Sequence, residues 1–106
     1  MKIDYKQMKF IDPLLILIVS EFEEEYGCKV VTSLYRIGDS GVHGTLPLRG
    51  IDIREKNQTI GHAMEEWINS RWIYDPKRSN KKVCVYHDTG SGYHLHCQVH
   101  PDTIRN

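Results

Sequence analysis

The chain has no excess charge of either sign. Its 14 Lys and Arg offset 14 Asp and Glu for a formal net charge of zero, so electrostatics give no case for nucleic acid or an anionic membrane as partner. The run Lys77-Arg78-Ser79-Asn80-Lys81-Lys82 reads as a solvated turn. Long apolar runs are also missing. Leu14 to Val19 is a run of six, far short of the roughly 20 residues that cross a bilayer, and no apolar leader segment opens the chain. Cysteine is scarce: Cys28, Cys84 and Cys97 form an odd set without Cys-x-x-Cys spacing. That argues against a disulfide framework and suits a reducing compartment, with Cys84 and Cys97 as buried fillers of strand-like runs. The expectation is a protein that stays cytoplasmic when synthesised and needs outside help to act beyond the cell. No internal repeat or low-complexity tract is present.

What remains is a chain of 106 residues, enough for one domain with a single core. Asp12-Pro13 places a capping residue before a proline at the first helical position, and Leu14, Leu15, Leu17, Ile18, Phe22 and Tyr26 recur at helical spacing until Gly27. The acidic residues Glu21, Glu23, Glu24 and Glu25 read as the solvated side of that helix. A β-branched run over 29–35 predicts a strand. The segment 36–49, with three glycines and a proline, is a long loop of the kind that carries function. Ile51-Asp52-Ile53 alternates as a short strand, and 58–72 repeats as a second helix. The runs 82–87 and 93–99 form two strands joined by a glycine-containing hairpin. The expected architecture is α+β: a small, mainly antiparallel sheet whose apolar face carries both long helices and whose polar face stays free.

Histidine supplies the chemistry. In Tyr93-His94-Leu95-His96-Cys97-Gln98-Val99 the two-residue period sends Leu95, Cys97 and Val99 to the core and His94, His96 and Gln98 to the opposite face. Asp52 alternates away from its flanking isoleucines in the same manner, and His43 sits in the glycine-rich loop before it. Two imidazoles and a carboxylate can hold a zinc ion with its fourth position open, the pattern of a catalytic rather than a structural site. His62 reads as a surface residue, His100-Pro101 as a turn, and Trp67 and Trp72 as a helix pair of which at least one is core.

These residues resemble a known family. Arg49-Gly-Ile-Asp52-Ile53 is similar to the end of the first zinc motif of the D-alanyl-D-alanine carboxypeptidases, VanX-type dipeptidases and L-alanyl-D-glutamate endolysins. His94-Leu-His96-Cys-Gln-Val99 resembles the second motif of the murein endopeptidases and of the hedgehog signalling domain, and Ser33-Leu-Tyr35-Arg36 looks like the segment preceding the first motif. The resemblance runs over about residues 13 to 101 and implies a hedgehog/DD-peptidase-like fold with Zn²⁺ as cofactor. Its metal ligands would be His43, Asp52 and His96. It further implies a monomeric zinc metallopeptidase, a hydrolase cutting amide bonds in peptidoglycan stem peptides. Short chains of this kind are phage-encoded endolysins and carboxypeptidases that reach the cell wall after release. Arg36 would position substrate, and Ser40 is a hydrogen-bonding or loop-capping residue beside it. The stretch between His43 and Asp52 is longer here than in the family, and Tyr93 stands where carboxypeptidase members carry an acid. The proton carrier is therefore His94 or, second, Asp88. The rival reading is a zinc-containing binding or phage structural module without catalysis. A cysteine hydrolase based on Cys28 or Cys97 is disfavoured, because Cys97 faces the core and Cys28 follows a helix C-terminus.

Overall fold

A computed structural model describes residues 2, 9–27, 30–33, 47–88, 90 and 92–106. Two helices and a small antiparallel sheet form an α+β arrangement. Helix α1 spans Pro13–Tyr26, where the Asp12 carboxylate accepts the Leu14 amide at 2.9 Å and Gly27, at φ +83°, ends the helix. A capping side chain satisfies an otherwise orphaned amide, and glycine adopts this positive φ without a Cβ clash. Its buried residues, Leu15, Ile18, Val19 and Phe22, follow the helical repeat, while Leu17 is exposed. Helix α2 spans Gln58–Arg71, begins on Asn57 whose side chain accepts the Ile60 amide, and buries Gly61, Met64 and Ile68. No helix among the described residues is long and apolar enough to cross a membrane.

Strands β1 (Val31–Ser33), β2 (Gly50–Arg54), β4 (Cys84–Asp88) and β5 (Tyr93–Gln98) form an antiparallel sheet in the order β1-β2-β5-β4. A second, two-stranded antiparallel sheet, which the sequence did not announce, pairs β3 (Trp72–Ile73) with β6 (Ile104–Arg105). Its strands are too short for a two-residue alternation to be read. Ile51, Ile53, Cys84, Tyr86, Leu95 and Cys97 face a core shared with α1 and α2. The alternation of β2 and β5 therefore holds, with their apolar positions at 0% exposure.

Cys84 and Cys97 correct one expectation. They are directly opposed across β4 and β5 and joined as a disulfide, with Cα atoms 4.3 Å apart. Only the strand register, not the spacing in sequence, brings them together. The acidic face of α1 corrects another. Glu21 is only 12% exposed and accepts the Trp72 indole N–H at 2.7 Å, Arg105 at 3.0 Å and Arg71 at 3.2 Å. It thus links α1 to the end of α2 and to β6. Burial alone would raise the Glu21 pKa, but the hydrogen bonds from Trp72, Arg105 and Arg71 outweigh it and leave the carboxyl below its ordinary range.

The β4 border of the sheet is closed by α2. Asn69 donates to the Cys84 carbonyl at 2.8 Å and accepts the Cys84 amide at 3.0 Å, while Glu65 accepts the Tyr86 amide at 2.6 Å. Four helical residues rise about 6 Å and two antiparallel strand residues about 6.8 Å, so side chains one turn apart on α2 match alternate residues of β4. The Tyr86 ring lies on Gly61, where an added Cβ would collide with it. Glycine at the fourth position of α2 is here the condition for that contact.

Candidate functional site

The polar face of the sheet gathers Asp52, His94, His96, Gln98 and His87. Val99 donates to the Arg49 carbonyl at 2.8 Å, so by alternation of the antiparallel ladder the opposed pair Asp52 and His96 falls in a non-hydrogen-bonded position, where side chains approach most closely. His96 Nδ1 lies 2.8 Å from Asp52 Oδ1, and His94 Nε2 lies 3.8 Å from the same oxygen. The His87 ring stands edge-on to His94 with centroids 4.9 Å apart. All three side chains of the Asp52, His94 and His96 set are between 17% and 26% exposed, open enough for a ligand yet partly desolvated.

His96 is held from both ends. Its Nε2 lies 3.1 Å from Gln98 Oε1, and the Gln98 amide donates to the Tyr74 hydroxyl at 2.9 Å, so Gln98 offers its carbonyl to the ring. An imidazole between two acceptors favours two N–H bonds and hence its charged form. The Asp52 hydrogen bond raises the His96 pKa above its ordinary value, partial burial opposes it, and Gln98 and the Asp52 charge add to the rise.

The other predicted residues are placed as follows. Asp88 occupies the core-side register of β4 with Cys84 and Tyr86, opposite Tyr93, and its Oδ1 accepts the amides of Gly90 at 2.8 Å and Gly92 at 3.2 Å. It is thus bound into the hairpin on the face away from His94. Arg36, Ser40 and His43 lie outside the described residues. Cys97 is fully buried. His62 is an exposed residue of α2, 3.6 Å from Glu65.

Two features were missed by sequence reasoning. A cleft of about 470 Å³ opens beside His96 and Gln98, bordered by Tyr74, Val85 and the segment from Arg78 to Lys82. The second is the group Asp75, His100 and Asp102, whose ligand atoms lie within 4.8 Å of one another and could hold a metal ion. Its atoms are already engaged: Asp75 accepts the Lys77 amide at 3.0 Å and Arg78 at 2.9 Å, and the Asp102 amide donates to His100 Nδ1 at 3.1 Å. Those bonds, the Lys77 amide first and Arg78 next, hold the Asp75 carboxyl below its ordinary pKa. A cation there would compete with Arg78 for the same carboxylate, so the group reads first as the lock of the 75–78 turn. The only signal for it in the sequence was a pair of prolines, Asp75-Pro76 and His100-Pro101, each marking a turn.

No family model, curated protein or solved structure matches the chain.

Proposed function

We propose that the chain is a zinc peptidase of hedgehog/DD-peptidase type, acting on amide bonds of peptidoglycan stem peptides. The observation that carries this reading is the close pairing of Asp52 with His96, with His94 also near Asp52, on the polar face of adjacent strands. Ligands about 2.0–2.1 Å from a tetrahedral zinc stand about 3.3 Å from one another. Asp52 Oδ1 and His96 Nδ1, 2.8 Å apart, lie close enough to open to that spacing around an ion. The donor set also fits by type: a carboxylate oxygen and imidazole nitrogens, with Gln98 accepting from the far ring nitrogen as the outer partner of a metal-binding histidine does. Asp52 and His96 would hold the ion together with His43.

When bound, zinc supplies a Lewis acid that polarises a carbonyl and makes water at its open position more acidic. The chain's own groups do the rest. His94, on the same strand face and not opposed to Asp52 in register, is the group that would take a proton and return it to the leaving amine. Arg36 would orient a substrate carboxylate or carbonyl through its planar fork. The reading without catalysis, a zinc-containing binding or phage structural module, draws support from Asp88, whose carboxylate is committed to the hairpin amides and so leaves His94 alone to act.

The test is elemental analysis of the purified protein paired with a digest of isolated cell walls. One zinc per chain is expected, lost in His43→Ala, Asp52→Ala and His96→Ala and retained in His62→Ala. Full zinc occupancy in His96→Ala would end this reading, and zinc without release of peptide fragments would transfer it to the binding module.

A further inference from the structure

We propose that the cleft beside His96 is a carboxylate-binding subsite, built by the turn from Arg78 to Lys82 and floored by Tyr74. The inference rests on the peptide reading only for the source of its ligand; the subsite itself follows from the lining. That lining offers donors and no acid: Tyr74, Arg78, Asn80, Lys81 and Lys82 surround it, and the remaining residues are Val85, His96 and Gln98. Arg78 is neutralised by Asp75 at 2.9 Å, so the uncompensated charge belongs to Lys81 and Lys82. Both are exposed, and among the described residues neither ammonium has a carboxylate partner. In a chain of zero formal net charge, two unpaired cations on one wall create a local positive potential.

The floor is polar in the same sense. The Tyr74 hydroxyl accepts the Gln98 amide at 2.9 Å, keeps its own proton to donate, and is only 7% exposed as a residue. An anion in the cleft would meet the Tyr74 O–H, the Asn80 amide and two ammonium groups. Charge-assisted bonds of this kind are stronger than neutral ones. Because Gln98 and His96 form the adjoining wall, a peptide whose carboxylate lies in the cleft would run directly toward Asp52 and His94. The loop thus sets a preference for a peptide with a free carboxylate on one side of the reacting bond.

The experiment is a nuclear magnetic resonance titration of the purified protein, as isolated and after chelator treatment, with N-acetyl-alanyl-alanine and with its C-terminal amide. The acid should shift the backbone amides from Arg78 to Lys82 and the side-chain amide of Gln98 in a saturable manner, and the amide should not. The Lys81→Gln, Lys82→Gln double variant, whose substitutions lie at exposed positions and leave the fold intact, should bind the acid about fivefold to tenfold more weakly, as expected for two surface charge contacts. High salt should weaken binding in the parent as well. Equal binding of acid and amide, wild-type binding by the double variant, or no shifts around the cleft would overturn the proposal. Failure of the zinc reading would show separately, as protein without metal and uncut cell walls, and would leave the chelator-treated titration unchanged.

Discussion

Replacing Asn69 by alanine tests whether the side-chain closure of the β4 border contributes to stability. Asn69 makes two hydrogen bonds to one residue, Cys84, whose exposure is 0%. Removing it strands an amide and a carbonyl, each costing about 1–3 kcal/mol when buried without a partner. Asn69 itself is half-buried, so water reaches part of the gap, and a total near the low end, about 2 kcal/mol, is expected. For a domain of this size that lowers Tm by about 8 °C. Ser70→Ala is the control, since the Ser70 hydroxyl bonds the Trp67 carbonyl within its own helix and the carbonyl that accepts Asn106 is kept, and it should remain within about 0.5 kcal/mol. Thermal unfolding gives the first readout and amide hydrogen exchange the second: Cys84 should lose protection while Leu95, inside the β2–β5 ladder, keeps it. A Tm shift under about 2 °C with Cys84 still protected would refute the idea that α2 secures this border through hydrogen bonds.

Three more outcomes are expected. His94→Ala should keep its zinc and lose hydrolysis by about 10²–10⁴-fold, whereas Asp88→Asn should change turnover far less, as a rate assay on isolated cell walls will report; the reverse order would move the proton carrier to Asp88. The lowered carboxyl pKa of Glu21 means that its ion pairs stabilise the fold above the ordinary carboxylate pKa and are lost as pH falls through the depressed value. Tm measured from about pH 6 down to about pH 2 should therefore fall less steeply in Glu21→Gln than in the parent. Gly61→Ala should destabilise by about 1–3 kcal/mol despite alanine's better helix propensity, because the new methyl meets the Tyr86 ring, and denaturant unfolding measures it; a stabilised variant would show that the ring moves freely.

Local signals were legible and long-range ones were not. Asp12-Pro13 and Gly27 bracket α1 where the sequence placed it, since capping depends only on neighbours a turn away. Alternation assigned Asp52, His94 and His96 to polar strand faces, and the register then set Asp52 against His96. That the two faces are one face is a property of strand order, which no single strand encodes. The same limit hid the Cys84–Cys97 pair and let Asp88 compete for a role on the histidine face, although its parity with Cys84 and Tyr86 assigns it to the other side. Glu21 was read as solvated because its partners, Trp72 and Arg105, are 51 and 84 residues away in sequence. The cleft beside His96 was invisible for a similar reason: Lys81 and Lys82 form a border only once the turn folds next to β5.

The closure of β4 by Glu65 and Asn69 also decides how the sheet can meet another chain. Open borders recruit extended peptides or second copies by offering rows of amides and carbonyls, and here the amide and carbonyl of Cys84 and the amide of Tyr86 are already taken. A peptide arriving at this side finds those three groups already committed. It is steered onto the polar face, where recognition depends on side-chain chemistry, and where a ligand crossing the strands can touch Asp52, His94 and His96 together.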